Sequence, residues 1–247
     1  MTLFNRRTLL IGACACAAPG TAHASGSRGC QVRSAARPNG FRRFQDIQLG
    51  DEIDQTTGDA ALDRALGRAL IRVRDFFGVR PGVGVYDDSD YPQSLASRES
   101  YIEGTTGTVC LGATQMRQLM ADADDGGVSV VAVLAHEFAH IFQFQNGMDV
   151  RLAPGQGPVK LLELNADFFA GLYLAHLQTL ATEIRLYDSG RAFHALGDTN
   201  LGSIDHHGRP DERVRAIEAG HQVGFRRPDG RPAEALEDSI RFVEYWF

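Results

Sequence analysis

The stretch from Val128 to Gln145, VSVVAVLAHEFAHIFQFQ, decides the fold of this chain. Apolar side chains occupy most of its positions and neither glycine nor proline interrupts it, so the pattern predicts a long helix. Because apolar residues cover most of the helical surface rather than one stripe, the helix is expected to be buried. Its polar groups therefore need an explanation, and three of them stand together: His136, Glu137 and His140.

The spacing of His136 and His140 is typical of metal ligands on a helix. Residues four apart lie one above the other on the same face, so both imidazoles can reach one cation. Glu137 is rotated off that line, where it can act as a general base on a metal-activated water without being a ligand. The alternative, two hydrogen-bonded core histidines around a buried glutamate, leaves a costly carboxylate among apolar groups. The pattern therefore favours one zinc ion per chain.

A second long helix is predicted from Val159 to Leu180, and it carries two acids four residues apart. A catalytic zinc ion needs three protein ligands and keeps a fourth position for water. Glu163 is the expected third ligand, and Asp167 is expected to accept a hydrogen bond from the far nitrogen of a ligating histidine. The spacing also allows the reverse assignment, with Asp167 as the ligand. Apolar neighbours disfavour a solvated face for both acids.

The rest of the chain predicts an α+β domain that is mostly helical with a small sheet at its edge. Short segments of helical or strand-like periodicity are separated by glycine and proline, and no repeated strand–helix–strand unit is visible. The remaining predicted elements are a helix at Ala60–Phe77, a strand around Val83–Tyr86, a polar loop at Asp87–Arg98, a hairpin or broken strand at Tyr101–Leu111, a helix at Thr114–Met120, a turn at Gly126-Gly127, a loop at 146–158 and a helix at Asp211–Ala219.

Two further polar clusters are candidates for a site. A histidine near a bound zinc ion can stabilise the oxyanion that forms during peptide hydrolysis, and His207 is the candidate for that role. The alternative for His206 and His207 is a pair of exposed loop histidines. The acids Asp87, Asp88 and Asp90 lack the glycine and distal glutamate of an EF-hand, so a solvated loop is favoured over a calcium site.

The two helix motifs, AHEFAH at 135–140 and ELNADFFAG at 163–171, together resemble those of the gluzincin metallopeptidases. The resemblance is strongest to the neutral zinc metallopeptidases and extends more distantly to the HtpX-like and CAAX-protease group. It implies a zincin-like fold. His207 followed by Arg213 has the spacing that both groups use after the second helix, which implies a role in transition-state stabilisation. The resemblance also implies that the strand at Val109–Leu111 borders the cleft and pairs with an extended peptide.

Residues 1–24 have the three parts of a secretory signal peptide. Arg6 and Arg7 precede an apolar run, and Ala22–Ala24 provides a cleavage site of small residues. The paired arginines indicate the twin-arginine type, so the mature protein is expected in the periplasm or outside the cell. A lipoprotein anchored at Cys14 is the disfavoured alternative, because cleavage there would leave a very short apolar core.

The mature chain is expected to begin with a flexible arm at 25–50, rich in Gly, Ser, Arg and Pro, followed by the metallopeptidase domain at 51–247. Export would place Cys30 and Cys110 in an oxidising compartment, where they either form one disulfide or stay as unpaired thiols. The net charge of -6, with scattered basic residues, argues against a nucleic-acid partner. We expect no apolar run to have the length of about 20 residues that spans a bilayer, and therefore no transmembrane segment in the mature chain.

These features predict an exported zinc metalloendopeptidase that acts on peptide or unfolded protein substrates. The alternative is a non-catalytic zincin-like module, whose zinc is structural or whose cleft only binds peptides. Glu137 favours the enzyme, because a structural site needs ligands but no general base. The aromatic C-terminus Phe242–Phe247 is expected to pack on the domain, with a docking strip for another protein as the alternative.

Overall fold

Helices dominate the part of the chain that the computed structural model describes, which is residues 56–122, 126–155, 158–180 and 207–247. The helices are α1 (Ala60–Phe77), α2 (Ala113–Asp122), α3 (Gly126–Gln145), α4 (Met148–Leu152), α5 (Lys160–Leu180), α6 (Pro210–Arg226) and α7 (Leu236–Trp246), with a 3-10 turn at Pro232–Ala235. The strands are β1 (Gly82–Tyr86), β2 (Leu95–Ser97) and β3 (Thr108–Gly112). The predicted α+β class with a small sheet is confirmed. The predicted signal peptide, the arm and Cys30 lie outside the described residues.

Helix α1 has the boundaries that the sequence predicts, and both of its ends have a chemical cause. The carboxylate of Asp59 accepts hydrogen bonds from the backbone N–H groups of Ala61 and Leu62, at 2.8 and 3.1 Å, and so caps the first turn. Gly78 follows the last turn with a φ of 67°, a left-handed conformation that glycine adopts without a steric penalty. The buried face of α1 packs against α3.

The sheet has the order β1–β3–β2, with β3 in the centre. β1 runs parallel to β3, with Val83 opposite Val109, and β2 runs antiparallel, with Ala96 opposite the same residue. The prediction of a polar loop at Asp87–Arg98 is wrong where β2 lies, because Leu95–Ser97 pair with β3 and are buried. The expectation that β3 pairs with an extended peptide is also wrong, because neighbouring strands already occupy both of its edges.

Helix α3 is the buried centre of the molecule, as its composition predicts. The stretch Gly127–Gln145 is 19 residues long with a mean hydropathy of 1.4, which is long and apolar enough to cross a membrane. The expectation that no apolar run is long enough to span a bilayer is therefore wrong for this stretch. Within this stretch, 89% of the residues are buried inside the protein, which is what the central helix of a globular core shows as well. Helices α1, α2 and α5 and the sheet surround it.

Three other boundaries differ from the sequence prediction. Helix α3 already begins at Gly126, where a turn was predicted. The predicted loop at 146–158 contains the short helix α4, whose apolar side chains are buried. Helix α6 continues to Arg226, well beyond the predicted end at Ala219. Glycines near that predicted end face α5, and the tertiary contact compensates for their low helix propensity.

Helices α5 and α6 approach each other more closely than ordinary side chains allow. A Cβ atom at Gly171 of α5 would lie 2.0 Å from the carbonyl oxygen of Ile217. A Cβ atom at Gly220 of α6 would lie 1.8 Å from the carbonyl oxygen of Phe168. The two glycines therefore set the distance between these helices from both sides. This contact fixes the position of α6 relative to the acids of α5.

Adding one methyl group at this contact is expected to destabilise the protein. Gly220→Ala forces a Cβ atom against the backbone carbonyl of Phe168 and should cost about 1–3 kcal/mol, the usual range for overpacking. Gly67→Ala in α1 is the matched control, because a Cβ atom there meets nothing within 4 Å and alanine favours a helix by about 0.5–1 kcal/mol over glycine. Urea unfolding of both variants measures the difference. Equal stability of Gly220→Ala and the unsubstituted protein would contradict the close contact.

The C-terminal helix α7 covers one side of α5. Val243 is buried, and the ring of Phe242 lies with its centroid 5.6 Å from that of Phe168. The expectation that the aromatic C-terminus packs on the domain is confirmed for this face. Tyr245 and Trp246, in the last turn of this helix, are 81% and 54% exposed.

Candidate metal centre

Helices α3 and α5 pack together so that both histidines of α3 lie close to Glu163 of α5. His136, His140 and Glu163 each offer one ligand atom, and these atoms all lie within 4.8 Å of one another. The three residues are buried, with exposed fractions of 6, 1 and 1%. This group could hold a metal ion, and it is the group that the sequence spacing proposes as ligands.

The donor atoms of these residues converge on one point. Nε2 of His136 and Nε2 of His140 are 3.1 Å apart. Oε2 of Glu163 lies 3.3 Å from His136 Nε2, and Oε1 lies 3.4 Å from His140 Nε2. A tetrahedral zinc ion with bonds of about 2.0–2.1 Å separates its ligand atoms by about 3.3 Å. The three distances are close to that separation, with each histidine facing a different oxygen of the same carboxylate, so the group could hold a small tetrahedral ion.

Asp167 supports the outer nitrogen of His136. Its Oδ1 lies 2.8 Å from His136 Nδ1, the ring nitrogen that is not directed at Glu163. Arg213 of α6 donates from Nε to Oδ2 and from Nη2 to Oδ1 of Asp167, both at 2.8 Å. Asp167 and Arg213 are 0 and 4% exposed, so each buried charge depends on the other. Of the two acids on α5, Glu163 thus lies with the donor atoms of the two histidines, and Asp167 lies against the outer ring nitrogen of His136.

The charges within this cluster balance one another. Burial alone would raise the pKa of Glu163, but the charge of His140 and hydrogen bonds with both histidines hold it well below its ordinary value. Burial would also raise the pKa of Asp167, but the charges of Arg213 and His136 and their hydrogen bonds hold it below its ordinary value. Burial would lower the pKa of His136, but Asp167 and Glu163 outweigh it and raise it to about 10. Without a metal, a cationic His136 and Arg213 therefore face two carboxylates at neutral pH.

Metal binding is expected to release about one proton at pH 7. Because the pKa of His136 is raised to about 10, this imidazole is protonated in the metal-free protein and must become neutral to act as a ligand. The apparent affinity for zinc should therefore rise as the pH increases from 7 to about 10. Titration calorimetry in two buffers of different ionisation enthalpy counts the released protons. Zinc binding without proton release would show that His136 is already neutral.

Glu137 lies beside the donor cluster without belonging to it. It is 5% exposed, and burial raises its pKa against the opposing charges of His136 and His140. A carboxylate with a raised pKa is suited to accept a proton and to pass it on near neutral pH.

On β3, burial and then the charge of Glu137 raise the pKa of Cys110 to about 12, so this thiol is unreactive. The other half of the proposed disulfide, Cys30, lies outside the described residues.

His207 lies three residues before Pro210, the first residue of α6, and is 5% exposed. Its charge contributes to the lowered pKa of Glu163, so it lies near the donor cluster. The alternative of an exposed loop histidine is therefore wrong for His207, because the residue is buried. His206 lies outside the described residues.

The acidic loop after β1 has a structural role that its sequence did not predict. Asp87 and Asp88 are 6 and 4% exposed, so the prediction of a solvated loop is wrong for them. The carboxylate of Asp88 accepts hydrogen bonds from the backbone N–H groups of Thr114 and Gln115, at 2.6 and 2.9 Å, and so caps α2. Within the described ranges, no three His, Cys, Asp or Glu side chains of this loop form a metal-binding group, so the calcium alternative has no support.

Two buried amides next to the ligands were not singled out from the sequence. Gln143 lies one turn after His140, and Asn165 lies between the two acids of α5; both are 0% exposed. The available signal was their polarity, since a polar side chain within an apolar helix needs a partner.

The comparisons with protein-family models, with curated proteins and with solved structures find no match for this chain. The argument for a function therefore depends on the site and on the sequence motifs that form it.

Proposed function

We propose that this chain is a zinc metallopeptidase of the gluzincin type, with a zincin-like domain that hydrolyses peptide or unfolded protein substrates. The observation that carries this proposal is the convergence of His136, His140 and Glu163 beside a second acid, Glu137. Three ligands with an adjacent general base are the composition of a catalytic rather than a structural zinc site. The pattern of residues 1–24, which is typical of a signal peptide, supports export of the proposed enzyme to the periplasm or the medium.

The donor set favours zinc. Two imidazole nitrogens and one carboxylate oxygen suit zinc, whereas calcium and magnesium prefer ligand sets made of oxygen alone. When bound, zinc supplies a water of lowered pKa and polarises the carbonyl group of the substrate.

Glu137 handles the proton in this reaction. Its carboxylate accepts a proton from the attacking water and then delivers it to the nitrogen of the departing amine. Burial raises the pKa of Glu137 and thereby favours the protonated form that must exist between these two transfers.

His207 and Arg213 receive different roles. His207 is buried near Glu163, which supports its assignment as a donor to the oxyanion of the substrate. For Arg213 the resemblance implied the same role, but its Nε and Nη2 are engaged with Asp167. We therefore assign Arg213 to holding Asp167 and, through it, the ring of His136.

A non-catalytic zinc module is the second candidate, because the ligands are almost completely buried, as in a closed structural site. Structural zinc sites usually have four protein ligands. In the described part of the chain, the donor group contains three, and Glu137 beside it is not one of them. A donor group of three ligands with a separate acid beside it favours the enzyme.

Cleavage of an unstructured substrate separates these candidates. The purified full chain is tested for zinc content and for hydrolysis of casein, with and without a chelator. The peptidase proposal requires cleavage that stops on chelation and returns with zinc. One zinc ion per chain without cleavage of casein or of a peptide library would support the non-catalytic module.

A further inference from the structure

An amide holds the outer nitrogen of His140. Nδ1 of this histidine lies 2.8 Å from Oε1 of Gln143, one turn further along α3. His140 and Gln143 are 1 and 0% exposed, so no bulk water competes for this hydrogen bond. The contact lies on the side of the ring opposite to Nε2, which faces His136 and Glu163.

Helix α5 fixes the orientation of the Gln143 amide. Its Nε2 donates to the carbonyl oxygen of Leu162 at 2.8 Å and to Oδ1 of Asn165 at 2.9 Å. Because these two acceptors use both N–H groups, the amide oxygen is the end that faces His140. An amide oxygen only accepts hydrogen bonds, so Nδ1 of His140 carries the proton. Its Nε2 then presents a lone pair to the donor cluster.

The two acceptors of Gln143 also lie on either side of Glu163 in the sequence. The hydrogen bonds to Leu162 and Asn165 therefore attach to α3 the turn of α5 that carries Glu163. One side chain thus acts on two of the three proposed ligands, by orienting the ring of His140 and by holding the backbone next to Glu163.

We propose that Gln143 is the positioning residue of the metal centre, selecting the tautomer of His140 and fixing the turn that presents Glu163. This inference rests on the proposed metal site. It adds that the two histidines are held by partners of different charge. His136 is backed by the carboxylate of Asp167, whereas His140 is backed by a neutral amide. A neutral acceptor orients the ring without adding a further negative charge to the buried cluster.

Zinc affinity of the purified full chain tests this role, measured by competition with a chromophoric chelator. Gln143→Met keeps the length of the side chain but removes the acceptor, and it should weaken zinc binding by about 10–100-fold, as is typical for partners of ligating histidines. Gln143→Glu keeps an accepting oxygen and should retain more affinity than Gln143→Met. Gln145→Met is the matched control, because Gln145 is exposed and bonds to Thr106 Oγ1 at 2.8 Å, and it should bind zinc like the unsubstituted protein.

A second measurement needs no variant. In the zinc-loaded protein with ¹⁵N-labelled histidine, NMR should show the His140 proton on Nδ1. A proton on Nε2 would overturn the proposal, and so would equal zinc affinity of Gln143→Met and the unsubstituted protein. Failure of the unsubstituted protein to bind zinc would overturn the metal centre and this inference together. Zinc binding with the expected loss in Gln143→Met, but without peptide hydrolysis, would support Gln143 and overturn only the peptidase proposal.

Discussion

Glu137→Gln is expected to reduce peptide hydrolysis by about 10²–10⁴-fold while the zinc content stays near one per chain. The amide is nearly isosteric with the carboxylate, so packing within α3 and the positions of His136 and His140 should change little. An amide cannot accept the proton of the attacking water, so the general-base contribution is lost. Cleavage of casein and metal analysis of the same preparation measure both effects, with peptide affinity expected to survive.

A control substitution separates this effect from a general loss of charge. Glu103→Gln makes the same chemical change at an exposed position and should leave hydrolysis and zinc content unaltered. If Glu137→Gln hydrolyses peptides as fast as the unsubstituted enzyme, Glu137 is not the base and the proposed mechanism is wrong.

Glu163→Ala is expected to abolish stable zinc binding, because it removes one of the three proposed protein ligands. Asp167→Ala should lower zinc affinity by about 10–100-fold, since it removes only the partner of a ligand. Dialysis against a weak chelator followed by metal analysis distinguishes the two variants. Circular dichroism is needed beside it, because Asp167→Ala leaves the charge of Arg213 buried without its partner.

The reverse order of effects would exchange the two acids. Full zinc retention in Glu163→Ala together with loss in Asp167→Ala would make Asp167 the ligand, an assignment that the sequence spacing alone allows. The distances of 3.3 and 3.4 Å from Glu163 to the two Nε2 atoms predict the opposite.

The donor cluster was predictable from the sequence because its parts are local. A helix places residues four apart on one face, so the pairs His136/His140 and Glu163/Asp167 follow from spacing alone. Only the approach of α3 to α5 separates the roles of the two acids, and that approach depends on packing between distant segments. The same reason explains Arg213, whose salt bridge with Asp167 joins residues far apart in the chain.

The sheet was less predictable than the helices. Strand β2 is three residues long, too short for an alternating pattern, and its polar surroundings resemble a loop. It becomes a strand because β3 offers it hydrogen-bond partners, which is a property of tertiary structure. Asp88 shows the same limit, since its burial depends on the backbone N–H groups of α2, which come later in the chain.

The internal pairing of cationic and anionic groups around His136 has a consequence for the order of events in the cell. In zinc fingers the metal provides the folding free energy, so the protein without metal is unfolded. Here Arg213 and a protonated His136 already compensate the buried carboxylates, so we expect the chain to fold without an ion. Zinc binding would then add to the stability of a chain that is already folded, rather than create its fold. The metal-free form of the proposed peptidase would be a folded, inactive reserve that zinc activates without new synthesis.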